Sequence, residues 1–215
     1  MINVFLVSHL FTNKQFLLWF IPVTRILLKI NLYRILTSIS LSVVLTATLK
    51  AIFRHELPDT FFKTHTWAFP SGHAGFATSI CFSFAYEIYF RYKNKYIRTL
   101  SNIFFLTITL LEGLRVVLEG YHYPKDVVAA IVIIGFYTIF IYRVLFKQSQ
   151  KKQVIFIISN ILIALCVAYF PERKAPHLYQ FSIILGFCCL YQLICIYKEF
   201  LSLFVVKKLV SWLKF

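Results

Sequence analysis

Two short stretches carry residue types that do chemistry on anions. In Phe69-Pro70-Ser71-Gly72-His73-Ala74, Pro70 and Gly72 make a tight connection into a helix starting near His73. Backbone N–H groups at such a start point toward an anion, and the helix dipole favours negative charge there. Ser71 adds a hydroxyl donor, and His73 can serve as general acid. The second stretch runs from Arg115 to Asp126 and holds His122 four residues before Asp126. On a helix that spacing puts both side chains on one face. The carboxylate then fixes the imidazole tautomer, as for an oriented base or nucleophile. Arg115 offers a planar fork for phosphate oxygens. Alone, each stretch reads as an ordinary helix start. Together they are a much stronger signal.

Composition restricts the scaffold that can position them. Of 215 residues, 60% are hydrophobic and only 14% charged. Soluble domains are nearer half apolar with about a quarter charged, and a core of this size cannot hide the excess. A soluble fold is therefore excluded. The net charge of +15 would suit nucleic acid on a polar surface. Here the basic residues stand in short clusters between apolar runs, the pattern of cytoplasmic loops, so no nucleic-acid partner is expected. Such clusters also attract anionic lipid head groups. Cys81, Cys166, Cys188, Cys189 and Cys195 lie in apolar stretches without zinc-site spacing and read as packing residues. The run from Val4 to Phe11 lacks a small-residue cleavage site, so no cleavable signal peptide is expected.

A membrane span needs about 20 mainly apolar residues. Six segments qualify: Leu36–Phe53, His73–Phe90, Leu100–Leu118, Asp126–Phe146, Val154–Phe170 and Phe181–Tyr197. The expected fold is an all-α polytopic transmembrane helical bundle, a single integral membrane domain over residues 1–215. Gln15–Ile30 carries Pro22, Arg25 and Lys29; an interfacial helix is favoured there over a seventh span. Residues 201–215, with Lys207, Lys208 and Lys214, read as an amphipathic tail. The basic clusters Arg91–Arg98, Lys147–Lys152 and the C-terminal lysines fall on one side, cytoplasmic by the positive-inside rule. Lys50, His55, Ser71, His73, Arg115, His122 and Asp126 then gather near the opposite face. That topology uses charge and hydropathy alone, so its agreement with the motif positions is an independent check.

The two stretches resemble the signatures of the type 2 phosphatidic acid phosphatase superfamily, a membrane helical bundle with motifs of roughly K-x6-R-P, P-S-G-H and S-R-x5-H-x3-D. Pro70-Ser71-Gly72-His73 matches the second, and His122-x3-Asp126 the end of the third. The resemblance covers residues 50–126. Two departures stand out. Lys50 is followed after six residues by Leu57-Pro58, so Leu57 replaces Arg, and Arg54 or His55 is left to supply the charge. In the third motif Leu114 replaces Ser, and six residues, not five, separate Arg115 from His122.

The resemblance implies a two-step reaction without metal or cofactor. His122 attacks phosphorus, Asp126 orients it, and His73 protonates the leaving oxygen. Lys50, Ser71, Gly72, Arg115 and Arg54 are the expected phosphate-binding residues. A zinc site from His65, His73 and His122 is disfavoured because the cations nearby would repel a metal ion. The expected substrate is a phospholipid or polyprenyl phosphate: undecaprenyl pyrophosphate, phosphatidylglycerophosphate, phosphatidic acid or a lipid A phosphate. The expected setting is a bacterial inner membrane with a periplasm-facing site. A lipid-to-lipid phosphotransferase and a non-catalytic transporter or scaffold are the alternatives. Glu112, three residues before Arg115, is expected to hold it as an ion pair. Glu87 reads as a bundle-facing polar contact, and Glu119 as a neighbour of the site. Trp67, Phe69, Tyr121 and Tyr123 read as interfacial aromatics.

Overall fold

Caps set the helix starts. Asn31 and Asn94 accept the N–H groups of Arg34 and Tyr96 through their side-chain oxygens, at 3.3 and 2.8 Å. Ser71 does the same for Ala74 at 3.4 Å. Pro124 occupies a first-turn position, where its missing N–H costs nothing. The computed structural model describes residues 30–56, 67–169 and 183–197. They form α1 (Leu32–Phe53), α2 (Gly72–Arg91), α3 (Lys95–Leu118), α4 (Pro124–Arg143), a 3-10 turn at Leu145–Lys147, α5 (Gln150–Tyr169) and α6 (Ile183–Tyr197). No strand occurs among the described residues. Leu57, Pro58 and His65, most of the N-terminal segment and the expected tail helix lie outside them.

Each expected span coincides with a helix, and most of the helices begin a few residues earlier than the apolar runs. Four are long and apolar enough to cross a membrane: Leu32–Phe53, Lys95–Leu118, Pro124–Lys147 and Gln150–Val167. The expected count of six is not reached on that measure. α6 is short, and α2 carries Ser, Thr and Glu87 along its length. Position accounts for α2. It packs against α1, α3 and α4, so Thr78, Ser79, Ser83 and Glu87 are buried in protein. The outward faces show the opposite chemistry: Ile103, Leu110, Phe136, Leu162 and Phe187 are each more than half exposed. So continuous an apolar exterior is compatible with an integral membrane protein.

Short connections reverse the chain between α2 and α3 and between α3 and α4. The end of α1, the start of α2, the end of α3 and the start of α4 therefore share one end of the bundle. Below it, Ala74, Val116, Val127 and Ala130 form a small core. Gly113 lets α3 approach α4 there, since a Cβ on it would lie 2.9 Å from Val127 Cγ1.

Candidate active site

Backbone bonds fix the two motif stretches before any side chain acts. The Ser71 N–H donates to the Asp126 carbonyl at 3.0 Å, tying the start of α2 to the start of α4. α3 ends in a Schellman turn. Gly120, in the left-handed region at φ 74°, donates to the Val117 carbonyl, and Tyr121 donates to that of Val116, both at 3.0 Å. The turn lies within the longer-than-usual spacing between Arg115 and His122. His122 follows directly, outside any helix.

The structure brings Lys50, Ser71, Gly72, His73, His122 and Asp126 together. The His73 and His122 rings lie 6.3 Å apart, centroid to centroid, and His73 lies 5.9 Å from Tyr121. His73 is exposed and His122 buried. Lys50 reaches over the start of α2: a Cβ on Gly72 would meet its Cε at 3.7 Å. Its Nζ donates to the Trp67 carbonyl, and Asp126 is near enough to attract it. Ser71 spends an oxygen lone pair on the cap of α2, which leaves the hydroxyl proton for another acceptor.

Burial pushes the His122 imidazole down to about 3. The charges of Lys50 and His73 push the same way, and the Ala68 carbonyl, accepting from the ring, opposes them. His122 is therefore neutral at ordinary pH. The ring and Asp126 do not share a helical face, as the four-residue spacing suggested. Tyr123 and Pro124 begin the helix between them, and Asp126 Oδ2 accepts the Tyr123 N–H at 3.3 Å in a capping box. His122 Nδ1 and Asp126 Oδ1 are each buried without a hydrogen-bond partner. Unpaired buried polar atoms are costly, and each of these two acceptors is open to a donor.

Arg115 and Arg54 are held elsewhere. Arg115 Nε and Nη2 donate to the two Glu112 carboxylate oxygens at 2.9 and 2.6 Å, and Nη1 donates to Glu119. Glu112 forms the expected ion pair. Glu119 adds a second carboxylate, a contact the sequence signalled only as an i, i+4 pair. Arg54 closes α1 in the left-handed region, and its Nε donates back to the Ala51 carbonyl at 3.3 Å. Leu114 is half exposed on the outer face of α3, so that departure from the motif lies away from the cluster. The carbonyls of Trp67 and Ala68, both facing the cluster, carry no sequence signal, because any residue provides them.

No curated protein and no solved structure shows a significant match to the chain. The PAP2 superfamily model matches residues 31–151, a stretch that begins at the cap of α1 and contains every side chain of the cluster. With more than half of its length matched, and with membrane-compatible helices carrying the motif residues to one end, the chain belongs to the PAP2 superfamily.

Proposed function

We propose that the chain hydrolyses a lipid phosphate or lipid pyrophosphate through a phosphohistidine on His122. The observation that carries this is the meeting of a buried neutral imidazole, His122, with an exposed one, His73, beside Lys50 and the N-terminus of α2. The unprotonated ring nitrogen of His122 attacks phosphorus. The bond to the leaving lipid oxygen breaks, and His73 donates a proton to that oxygen. Water then attacks the phosphohistidine, gives its proton to His73 and releases orthophosphate. Lys50, the Ser71 hydroxyl and the Gly72 N–H stabilise the charge on the transferring oxygens. The Ala68 carbonyl holds the N–H of the other ring nitrogen, and the Asp126 carboxylate stabilises the positive charge the ring carries in the intermediate. Arg115 joins the phosphate when Glu119, its exposed partner, gives way.

The site stands at one end of the bundle, level with the head groups of a surrounding bilayer, so a lipid brings its phosphate there without leaving the membrane. In this reading α2 and α6 complete six spans, α2 being shielded from lipid by its neighbours. The basic loops face the cytoplasm, and the site faces the periplasm of a bacterial inner membrane. The test is phosphate release by the purified full chain in detergent with EDTA. Undecaprenyl pyrophosphate, phosphatidylglycerophosphate, phosphatidic acid and lipid A are compared, with His122→Ala alongside. Release that survives EDTA and disappears in the variant supports the reading and identifies the substrate. Release unchanged in the variant, or none from any lipid, overturns it.

A further inference from the structure

The other end of the bundle holds a cavity that this chemistry does not use. It encloses about 290 Å³ among α2, α3 and α4. Its walls are graded along the helix axes. Phe82, Leu106 and Ile139 line the deeper part, and Tyr89, Asn102 and Arg143 stand one to two turns nearer the helix ends. The lining is apolar toward the middle of the bundle and polar and cationic toward the helix ends.

Charge around the mouth is one-sided. Arg91, Lys93, Lys95, Arg143 and Lys147 are all exposed at this end. Neither residues 88–111 nor residues 127–171 include an Asp or Glu. The one described carboxylate at this end, Glu87, is buried and accepts the Asn31 N–H at 3.0 Å. Arg143 lies 6.0 Å above the Tyr86 ring, and no described carboxylate pairs with it. Arg98 lies 4.4 Å above Tyr89.

We propose that this groove binds one anionic phospholipid from the leaflet at the basic-loop end. The lipid phosphate rests on Arg143 and Asn102, and the first carbons of one acyl chain run along Phe82, Leu106 and Ile139. The volume sits near the lower bound of small-ligand pockets, about 300 Å³. It takes a head group and the start of a chain, and the rest of the tail follows the exposed apolar face of α3. A zwitterionic lipid brings its own cation to a lining that holds no carboxylate among the described residues, and is disfavoured.

The test uses the full chain in detergent micelles doped equally with phosphatidylglycerol and phosphatidylcholine, with retained lipid counted by native mass spectrometry. Wild type retains one phosphatidylglycerol per chain in preference to phosphatidylcholine. Arg143→Gln lowers that retention about fivefold, the weight of one cation near a lipid surface. Leu106→Trp fills the groove and abolishes it, while Lys152→Gln, exposed on α5 and outside the groove, leaves it nearly unchanged. His122→Ala also leaves it unchanged, which separates this lipid from one held at the candidate active site. Equal retention of both lipids, or losses as large in Lys152→Gln as in Arg143→Gln, would overturn the proposal.

Discussion

Two charged clusters meet at the motif end of the bundle, and they are built oppositely. Around His122, two imidazoles and Lys50 come together, and atoms of His122 and Asp126 stay buried without partners. Around Arg115, three guanidinium nitrogens are already taken by Glu112 and Glu119. The first cluster is open, with two buried acceptor atoms still unpaired near Lys50. The second is closed on itself, as a structural ion pair is. Motif membership alone puts both on the phosphate; in this structure Arg115 is held by its carboxylates and reaches a phosphate only if Glu119 lets go.

The largest effect should come from breaking the first cluster. His122→Ala should lower phosphate release about 10⁴-fold or more, measured on the lipid that wild type hydrolyses best, with the melting temperature showing that the fold persists. His73→Ala should cost about 10³-fold, within the range of a lost general acid. A substrate with an acidic leaving group should recover most of that loss, because its oxygen leaves without a proton.

The second cluster should fail through stability. Glu112→Gln leaves buried Arg115 without its bidentate partner, at a cost of about 3 kcal/mol, read as a lowered melting temperature. Loss of activity with unchanged melting would instead place Glu112 in the chemistry. A pH titration sharpens the contrast. Folding lowers the His122 pKa from about 6.5 to about 3, so between those values the unfolded chain binds one proton more. The His122 contribution to stability should therefore fall as pH drops below about 6.5, by at most about 1.4 kcal/mol per pH unit. His122→Ala should flatten that slope between pH 4 and pH 6.5.

The smallest effect sits at the exposed edge of the second cluster. The Glu119 side chain is 43% exposed, so Glu119→Gln should change stability by less than about 1 kcal/mol. It also frees one edge of Arg115. KM for a phosphomonoester should fall about fivefold, with kcat nearly unchanged. An unaltered KM would leave Arg115 a structural residue only.

Much of this arrangement was legible in the sequence. Hydropathy located all six described helices, but it began most of them a few residues late. Polar caps such as Asn31 and Asn94 set those starts, and hydropathy sees only apolar runs. The Glu112–Arg115 pair followed from its spacing. The His122–Asp126 pairing did not, although the signal was present: Pro124 marks a first turn, so a helix begins between the two. Glu119 was noted beside the site and left without a role, because an i, i+4 carboxylate shows which guanidinium it can reach but not whether another acid is already there. The Trp67 and Ala68 carbonyls were beyond sequence reasoning, since main-chain oxygens have no residue type.

The bond from the Ser71 N–H to the Asp126 carbonyl is made of main-chain atoms only. Apart from proline at the first position, it is indifferent to which side chains the two positions carry. Stretches more than fifty residues apart in the sequence are thus joined by a clip that the reacting groups do not help to hold. Substitutions among those groups can alter what the junction does without dismantling it, so a lineage built on this joint can change its chemistry while keeping its frame.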